Sequence, residues 1–146
     1  MQERRARWSV VQLLDLTKYE VERVERWRGW GRLFLKQKRS RYVCPGCRQM
    51  YMFIQSKRWR TLRDLDISSR HIELVVPVYR ISCGACGLQE IPMRLARWKA
   101  RCTKRLERDL FRLTKDMTVK AVSERMELDW ETVKDAEVRY IRGLLR

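Results

Sequence analysis

Histidine is almost absent from this chain of 146 residues, since His71 is the single one. One imidazole leaves little room for acid–base catalysis, and the sequence has neither a glycine-rich phosphate loop nor a Ser, His and Asp arrangement. Asp64 and Asp66 are a close carboxylate pair, but magnesium-dependent phosphoryl transfer needs a third placed ligand. We expect a turn in which Asp64 pairs with Arg60 or Arg63. The sequence therefore predicts no enzyme.

Long apolar runs are also missing. No segment is long enough to span a bilayer, and the opening MQERRARWSVVQLLDLTKYE lacks the continuous apolar stretch and cleavage site of a secretory signal. We therefore expect a soluble, cytoplasmic chain with no membrane partner. Disulfides are rare in a reducing compartment, so paired cysteines there indicate metal or redox chemistry.

Acidic residues are too few to balance the basic ones. The chain has 18 Asp and Glu against 34 Lys and Arg, a formal net charge of +16. Such a surface attracts polyanions, above all nucleic acid, with anionic membrane or an acidic protein as alternatives. Two basic segments are predicted to contact DNA phosphates: Lys36, Lys38, Arg39 and Arg41 in the first, and Arg94, Arg97, Lys99, Arg101, Lys104 and Arg105 in the second.

Cysteine is present in a pattern, CPGC at residues 44–47 and CGAC at residues 83–86. Four thiolates bind zinc tetrahedrally at about 2.3 Å, and two intervening residues let one turn present both sulfurs. Neither pair has the helix N-terminus of a thioredoxin-like motif. We predict one structural zinc ion, with redox chemistry and free buried thiols as alternatives; its ligands are Cys44, Cys47, Cys83 and Cys86. Cys102 and His71 are predicted not to be ligands.

Strand patterns follow a short amphipathic helix predicted at residues 8–16. YEVERVERW and GRLFLKQKR flank Gly29, Trp30 and Gly31, which favours a β-hairpin with the glycines in its turn. Residues 49–55 are β-rich, and residues 70–82 form the strongest strand candidate, with Pro77 at an edge or bulge. Residues 48–82 must then contain a hairpin of their own.

Helical periodicity begins after Arg94. Thr103, Thr118 and Asp129 are predicted N-caps of three helices, the second short and the third long, which is typical of a helix-turn-helix unit. The predicted inward positions are Leu106, Leu110, Leu113 and Met117, then Val119, Val122 and Met126, then Val133, Ala136, Tyr140 and Leu144. In the third helix, Glu131, Thr132 and Lys134 are candidate base-reading residues.

These patterns predict an α+β fold in which a β-rich, zinc-ribbon-like module precedes a three-helix helix-turn-helix module. We place the first module at residues 1–93 and the basic joint with the helix-turn-helix at residues 94–146.

The order of these segments resembles the N-terminal part of the ISL-three family of bacterial insertion-sequence transposases. The resemblance runs through VVQLLDL, GRLFLKQKRSRYVCPGC, WRTLRDLDI, YRISCGACG and MTVKAVSERMELDWETVKD. The family usually has Ser or Gly at the turn positions that Glu127 and Asp129 occupy here. The resemblance implies a zinc finger and a helix-turn-helix that bind terminal inverted repeats, ahead of a catalytic domain with an acidic triad.

The expected function is sequence-specific binding of double-stranded DNA, inverted-repeat-like or operator DNA, without catalysis, at the nucleoid of a bacterial cell. A second copy or a full-length transposase is a candidate protein partner. One alternative is the DNA-binding part of an active transposase whose catalytic domain is missing or supplied in trans. Another is a basic zinc ribbon that binds RNA or protein.

Overall fold

The computed structural model describes residues 16–38 and 41–146. The helix predicted at residues 8–16 lies outside the described residues except for Leu16, and Arg39 also lies outside them.

The predicted first hairpin is confirmed. Strand β1 (Tyr19–Trp27) pairs with β2 (Trp30–Gln37) in antiparallel register. Gly29 has φ 67°, the left-handed conformation that glycine adopts without steric cost. Gly31, by contrast, is not in the turn: it belongs to β2, where an added Cβ would lie 3.1 Å from the Ile72 side chain. Its role is therefore close packing.

Five further strands follow: β3 (Tyr42–Val43), β4 (Met50–Tyr51), β5 (Ser56–Ile67), β6 (Arg70–Cys83) and β7 (Gly87–Glu90). Strands β5 and β6 form the hairpin expected between the two cysteine pairs. Within the β-rich segment 49–55, only Met50–Tyr51 is a strand, and it pairs with β3.

The main sheet has the strand order β1-β2-β6-β5, and β7 pairs with β6. Strand β2 is parallel to β6, from Trp30 opposite His71 to Phe34 opposite Val75. Pro77 pairs with Trp59 on the β5 side and lies between the end of the β2 pairing and the start of the β7 pairing at Arg80. The proline therefore occupies a local edge of β6, as a residue without an N–H requires.

Three helices complete the chain: α1 (Lys104–Asp116), α2 (Val119–Met126) and α3 (Trp130–Leu144). All three predicted N-caps are confirmed, because the side chains of Thr103, Thr118 and Asp129 accept hydrogen bonds from backbone N–H groups three residues later. Helix α2 ends at Glu127 in the left-handed conformation, with φ 48°.

The buried side chains form a cluster in the sheet, one among the helices and one around the thiols. The helical cluster contains Leu106, Leu110, Val122, Met126, Val133 and Ala136, with Leu113, Met117 and Val119 partly buried against it. Tyr140 is half-buried, with its ring centroid 4.9 Å from that of Phe111. The prediction for Leu144 is wrong: the residue is 63% exposed, because it lies at the last turn of α3, beyond the packed layer.

The α+β fold is therefore as predicted, a β-rich part with a four-cysteine cluster followed by three helices. Strand β5 connects the two parts, because the Arg63 N–H donates to the Arg101 carbonyl at 2.8 Å and the Thr103 N–H donates to the Arg63 carbonyl at 2.9 Å. The domain boundary at residues 93 and 94 stays a prediction. None of the described helices has the length and apolar character needed to cross a membrane.

Candidate metal centre and nucleic-acid interface

The first cysteine pair lies in a tight turn after β3. The Cys44 N–H donates to the Gln49 carbonyl at 2.9 Å, and the Arg48 N–H donates to the Cys44 carbonyl at 3.0 Å. Gly46 is sterically required, because an added Cβ would lie 2.9 Å from Cys86 Sγ. This glycine lets the second cysteine pair come close to the first.

The second pair lies between two paired strands. Cys83 is the last residue of β6, and Cys86 immediately precedes Gly87, which opens β7 with φ 74°. The sheet register aligns Cys83 with Gly87. The turn therefore presents both sulfurs on the same side, toward the first pair.

All four Sγ atoms lie within 4.8 Å of one another. The Cys47 and Cys83 sulfurs are 3.5 Å apart, much farther than the ~2.05 Å of a disulfide. Zinc at about 2.3 Å from each sulfur places the sulfurs of a tetrahedron about 3.8 Å apart. The cluster therefore fits one tetrahedral metal ion closed by four thiolates. Cys102 is buried away from it, and His71 Nδ1 lies 3.0 Å from an Asp66 oxygen, as expected for residues outside the ligand set.

The thiols differ in acidity because of their neighbours. A hydrogen bond from the Tyr51 hydroxyl lowers the pKa of Cys83 to about 6. Hydrogen bonding with Cys44 raises the pKa of Cys86 to about 12. The same hydroxyl accepts a hydrogen bond of 3.1 Å from the Gly84 N–H. Since thiolates bind metal, occupation of the cluster releases protons.

Helix α3 presents exposed Glu131 and Lys134 at its N-terminal half. Lys134 Nζ lies 3.1 Å from a Glu137 oxygen. Thr132 is buried with 6% exposure, because it lies one turn before Ala136 on the inward face. This burial does not support the predicted contact of Thr132 with base edges, while Glu131 and Lys134 stay exposed candidates.

The basic joint is divided among different surfaces. Exposed Lys99 and Arg101 line a 210 Å³ cavity against the N-terminal half of α3, and Arg101 Nη1 lies 3.4 Å from Asp129. Arg94 instead lines a 250 Å³ cavity with Lys18 and Gln37, at the end of β2. The structure thus brings Lys99 and Arg101 to helix α3 and Arg94 to the first basic segment.

In that first segment, Lys36, Lys38 and Arg41 are exposed. Lys36 belongs to β2 and lies opposite Glu20 in the register of the hairpin.

Arg97 and Arg105 are bound to buried carboxylates. Arg97 forms an ion pair with Glu107, which is fully buried. Burial raises the pKa of Glu107, and the adjacent Arg97 opposes that shift. Their guanidinium groups neutralise acids inside the fold, and the prediction that these two arginines contact phosphate stays a prediction.

The carboxylate that Arg105 neutralises is Asp64, which is also fully buried. Arg105 Nε and Thr103 Oγ1 each donate to Asp64 Oδ1 at 2.7 Å. The predicted turn with Arg60 or Arg63 is wrong, because Asp64 lies in β5, where its side chain contacts the start of α1.

Arg63 is a structural residue that the sequence did not indicate. Its side chain is buried, lies 4.5 Å from the Trp30 ring centroid, and donates to the Met126 carbonyl at 2.6 Å and to the Glu127 carbonyl at 3.3 Å. These bonds satisfy carbonyl groups at the end of α2 that have no partner within the helix. No local signal could have identified a partner 63 residues away.

Arg139 and Arg142 are two further basic residues of α3 that the sequence-based prediction of DNA contacts did not include. They share one side of α3 at a spacing of three residues, in the half of the helix after the acidic one. The change from acidic to basic along the helix was the available signal.

Two transposase domain families match separate parts of the chain. Residues 40–86 match the zinc-finger of transposase IS204/IS1001/IS1096/IS1165, and residues 92–141 match the helix-turn-helix domain of transposase family ISL3. The transposase for insertion sequence element IS1001 from Bordetella parapertussis is 33% identical over 134 residues, which cover 88% of this chain. The chain spans 32% of that protein. No solved structure matches.

Proposed function

We propose that this chain, which carries the zinc-finger and helix-turn-helix regions of ISL3-family transposases, binds double-stranded DNA of specific sequence. The proposed target is an inverted-repeat-like terminus of an insertion sequence. The similarity to an insertion-sequence transposase supports that choice of target.

The observation that carries the proposal is the surface around the N-terminal half of α3. Glu131 and Lys134 are exposed on this helix, and exposed Lys99 and Arg101 lie beside it. An acid can accept a hydrogen bond from cytosine N4, and a lysine can donate to guanine. Cations beside such a helix bind phosphates and fix its register on the duplex. The helix therefore supplies discrimination and the joint supplies affinity.

The cysteine cluster would hold one zinc ion as scaffold. A site closed by four thiolates has no position for water or substrate, so the metal supplies structure and not chemistry. The cluster lies at the open end of the β5–β6 hairpin, where Cys83 ends β6, and toward the other end of β5 the Asp64 side chain binds Arg105 of α1. We propose that zinc orients the helical part through this hairpin.

We also propose that the chain binds without cutting DNA. Asp64 is fully buried and held by Arg105 and Thr103, and Asp66 lies 3.0 Å from His71. These contacts occupy both carboxylates of the close pair that the sequence singled out. Incubation with plasmid and magnesium or manganese is expected to give no cleavage, and cleavage that survives further purification would contradict the proposal.

The test is fluorescence anisotropy with duplexes carrying the ends of an ISL3-family element and scrambled duplexes of the same length. Lys99→Gln and Arg101→Gln should weaken both duplexes alike and lower the salt slope by about one unit for each lost contact. Lys134→Ala should cost about 1–3 kcal/mol on the preferred duplex and little on the scrambled one. Lys57→Gln, which removes the same charge near the start of β5, is the matched control.

Glu131→Gln separates two roles of this acid. If Glu131 reads cytosine, preference for the specific duplex falls; if it only repels phosphate, both duplexes bind more tightly. Equal effects of all α3 changes on the two duplexes would show that the helix does not read sequence, and specificity would then have to come from the cysteine part or the first hairpin.

A second candidate is the DNA-binding region of an active transposase whose catalytic domain is supplied elsewhere. The observation that favours it is the 32% share of the IS1001 transposase that this chain spans. The experiment adds a separately produced catalytic domain to the bound duplex and follows strand cleavage at the end of the element. Cleavage that depends on both proteins would support this function.

A further inference from the structure

A cleft lies between the basic joint and the C-terminal half of α3. It has a volume of 670 Å³ and is lined by Met93, Ala96, Trp98, Lys104, Arg139 and Arg142, among others. We call it the tryptophan cleft. Its size falls within the range of about 300–1,000 Å³ that is typical of small-ligand sites, which suits one or two nucleotides and not a base-paired duplex.

Charge and aromatic surface coincide in the tryptophan cleft. The lining side chains that carry charge are all basic. Trp98 is 67% exposed, so most of its surface is open to a ligand. A cationic groove with an exposed aromatic ring is the arrangement by which proteins hold unpaired bases and their phosphates.

The floor of the cleft is fixed by buried contacts. Arg97 forms its ion pair with the buried Glu107, and an added Cβ at Gly143 would collide with the Arg97 guanidinium. Gly143 therefore lets α3 lie directly against this neutralised arginine. Arg60 donates to the Arg97 carbonyl at 3.0 Å and also to the Ala100 carbonyl, which fixes the backbone on both sides of Trp98.

The cleft continues from the surface proposed to bind the duplex. Arg139 lines both the tryptophan cleft and the neighbouring 210 Å³ cavity that contains Lys99 and Arg101. Arg139, which lies 3.9 Å from the exposed Asp135, therefore joins the two surfaces, and a strand leaving the duplex beside α3 can reach Trp98 past this arginine.

We infer that the tryptophan cleft binds unpaired nucleotides of a DNA strand that continues from the bound duplex. Trp98 stacks on a base, while Lys104 and Arg142 bind the phosphates on either side. This inference rests on the proposed function, because it assigns a single-stranded extension of the same DNA to the second half of α3.

The test compares a blunt duplex with the same duplex carrying an oligothymidine extension, an extension of equal length without bases, and free oligothymidine. The thymidine extension should tighten binding. Trp98→Ala should weaken binding of the thymidine-extended duplex by about fivefold or more and leave binding of the blunt duplex unchanged. Trp98→Phe should retain most of the gain. Trp98→Ala should not affect the extension without bases. Trp59→Ala, at a tryptophan that is 49% exposed on β5, is the matched control.

Arg142→Gln should weaken binding of both extended duplexes and reduce the salt slope by about 0.7 units, the value for one contact to a single strand. Binding of the blunt duplex with no gain from any extension would overturn this inference alone. Trp98→Ala weakening blunt and extended duplexes equally would overturn it too. If no duplex binds, the proposed function fails, and the free oligothymidine still decides the cleft: binding lost in Trp98→Ala supports it, and no binding rejects it.

Discussion

The cysteine end and the helical end of the chain are both small, and they are stabilised differently. At the cysteine end, β3 and β4 have two residues each, Phe53 is 86% exposed, and Cys44 and Cys83 themselves belong to the buried cluster. At the helical end, fully buried aliphatic side chains such as Leu106 and Leu110 pack between capped helices. We therefore expect the first end to depend on a bound metal ion, while the second has a larger aliphatic core.

Removal of zinc should separate the two ends most clearly. Cys83→Ser, or chelation of the metal, is expected to unfold the cysteine end and leave the helices formed, because structural zinc sites supply about 10–16 kcal/mol of binding free energy in small domains. Hydrogen exchange would show lost protection in β3, β4 and β7 with protection kept in α1 and α3. Elemental analysis should find one zinc ion per chain.

Cys102→Ser is the matched control, because Cys102 is a buried thiol outside the cluster. This variant should retain its full zinc content. Unchanged hydrogen exchange at the cysteine end after complete chelation would contradict the proposed dependence on metal.

The next largest effect is expected where the two ends connect. Arg105→Met leaves the buried Asp64 carboxylate without its arginine and should cost about 3–5 kcal/mol in the free energy of unfolding. Urea denaturation of the zinc-loaded protein measures this loss. Adding Asp64→Asn to Arg105→Met removes the unpaired charge and should recover part of the stability. If Arg105→Met alone lowers the free energy of unfolding by less than about 1 kcal/mol, solvent reaches Asp64.

A smaller effect is expected at the start of α3. The Asp129 carboxylate accepts a hydrogen bond of 2.7 Å from the Thr132 N–H, and this bond lowers the pKa of Asp129. Asp129→Ala should cost about 1 kcal/mol, the usual value of an N-cap, and Asp129→Asn should retain most of it. Thermal unfolding followed at the helical signal is the measurement; equal losses in both variants would contradict a capping role.

The smallest expected effect is a change in pH dependence at Glu107. Burial raises its pKa in the folded protein above the ordinary value of 4.5, so the folded state retains this proton more strongly than the unfolded state. The stability from this group is present below that ordinary value and is lost as the pH rises through the folded pKa. As the pH rises from 4.5 through the folded pKa, the free energy of unfolding of the wild type should therefore fall relative to that of Glu107→Gln. Glu124→Gln, at an exposed acid of α2, is the matched control variant.

Local features were the ones that the sequence predicted well. The N-caps Thr103, Thr118 and Asp129 each act on a backbone N–H three residues away, and the four cysteines have a spacing that few structures other than metal sites require. Residue type and short-range spacing are enough for such features.

Long-range partners could not be predicted in this way. Asp64 and Arg105 are 41 residues apart, and the Arg63 side chain binds carbonyl groups more than 60 residues further along the chain. The burial of Thr132, by contrast, was readable from its spacing of four residues from Ala136. Charge counting could not show that Arg97 is neutralised; the single acid of the basic segment, Glu107, was the one sign of a buried pair.

The parallel pairing of β2 with β6 also sets an order of events during synthesis. Arg32 and Glu73, whose side chains form an ion pair across these strands, are 41 residues apart. At about 5–20 residues per second, a ribosome adds that length in about 2–8 s. For this interval the β1–β2 hairpin exists without its neighbour, and one edge of β2 is open to other nascent chains. Chaperone dependence during translation is therefore expected to be concentrated in the interval before β6 leaves the exit tunnel.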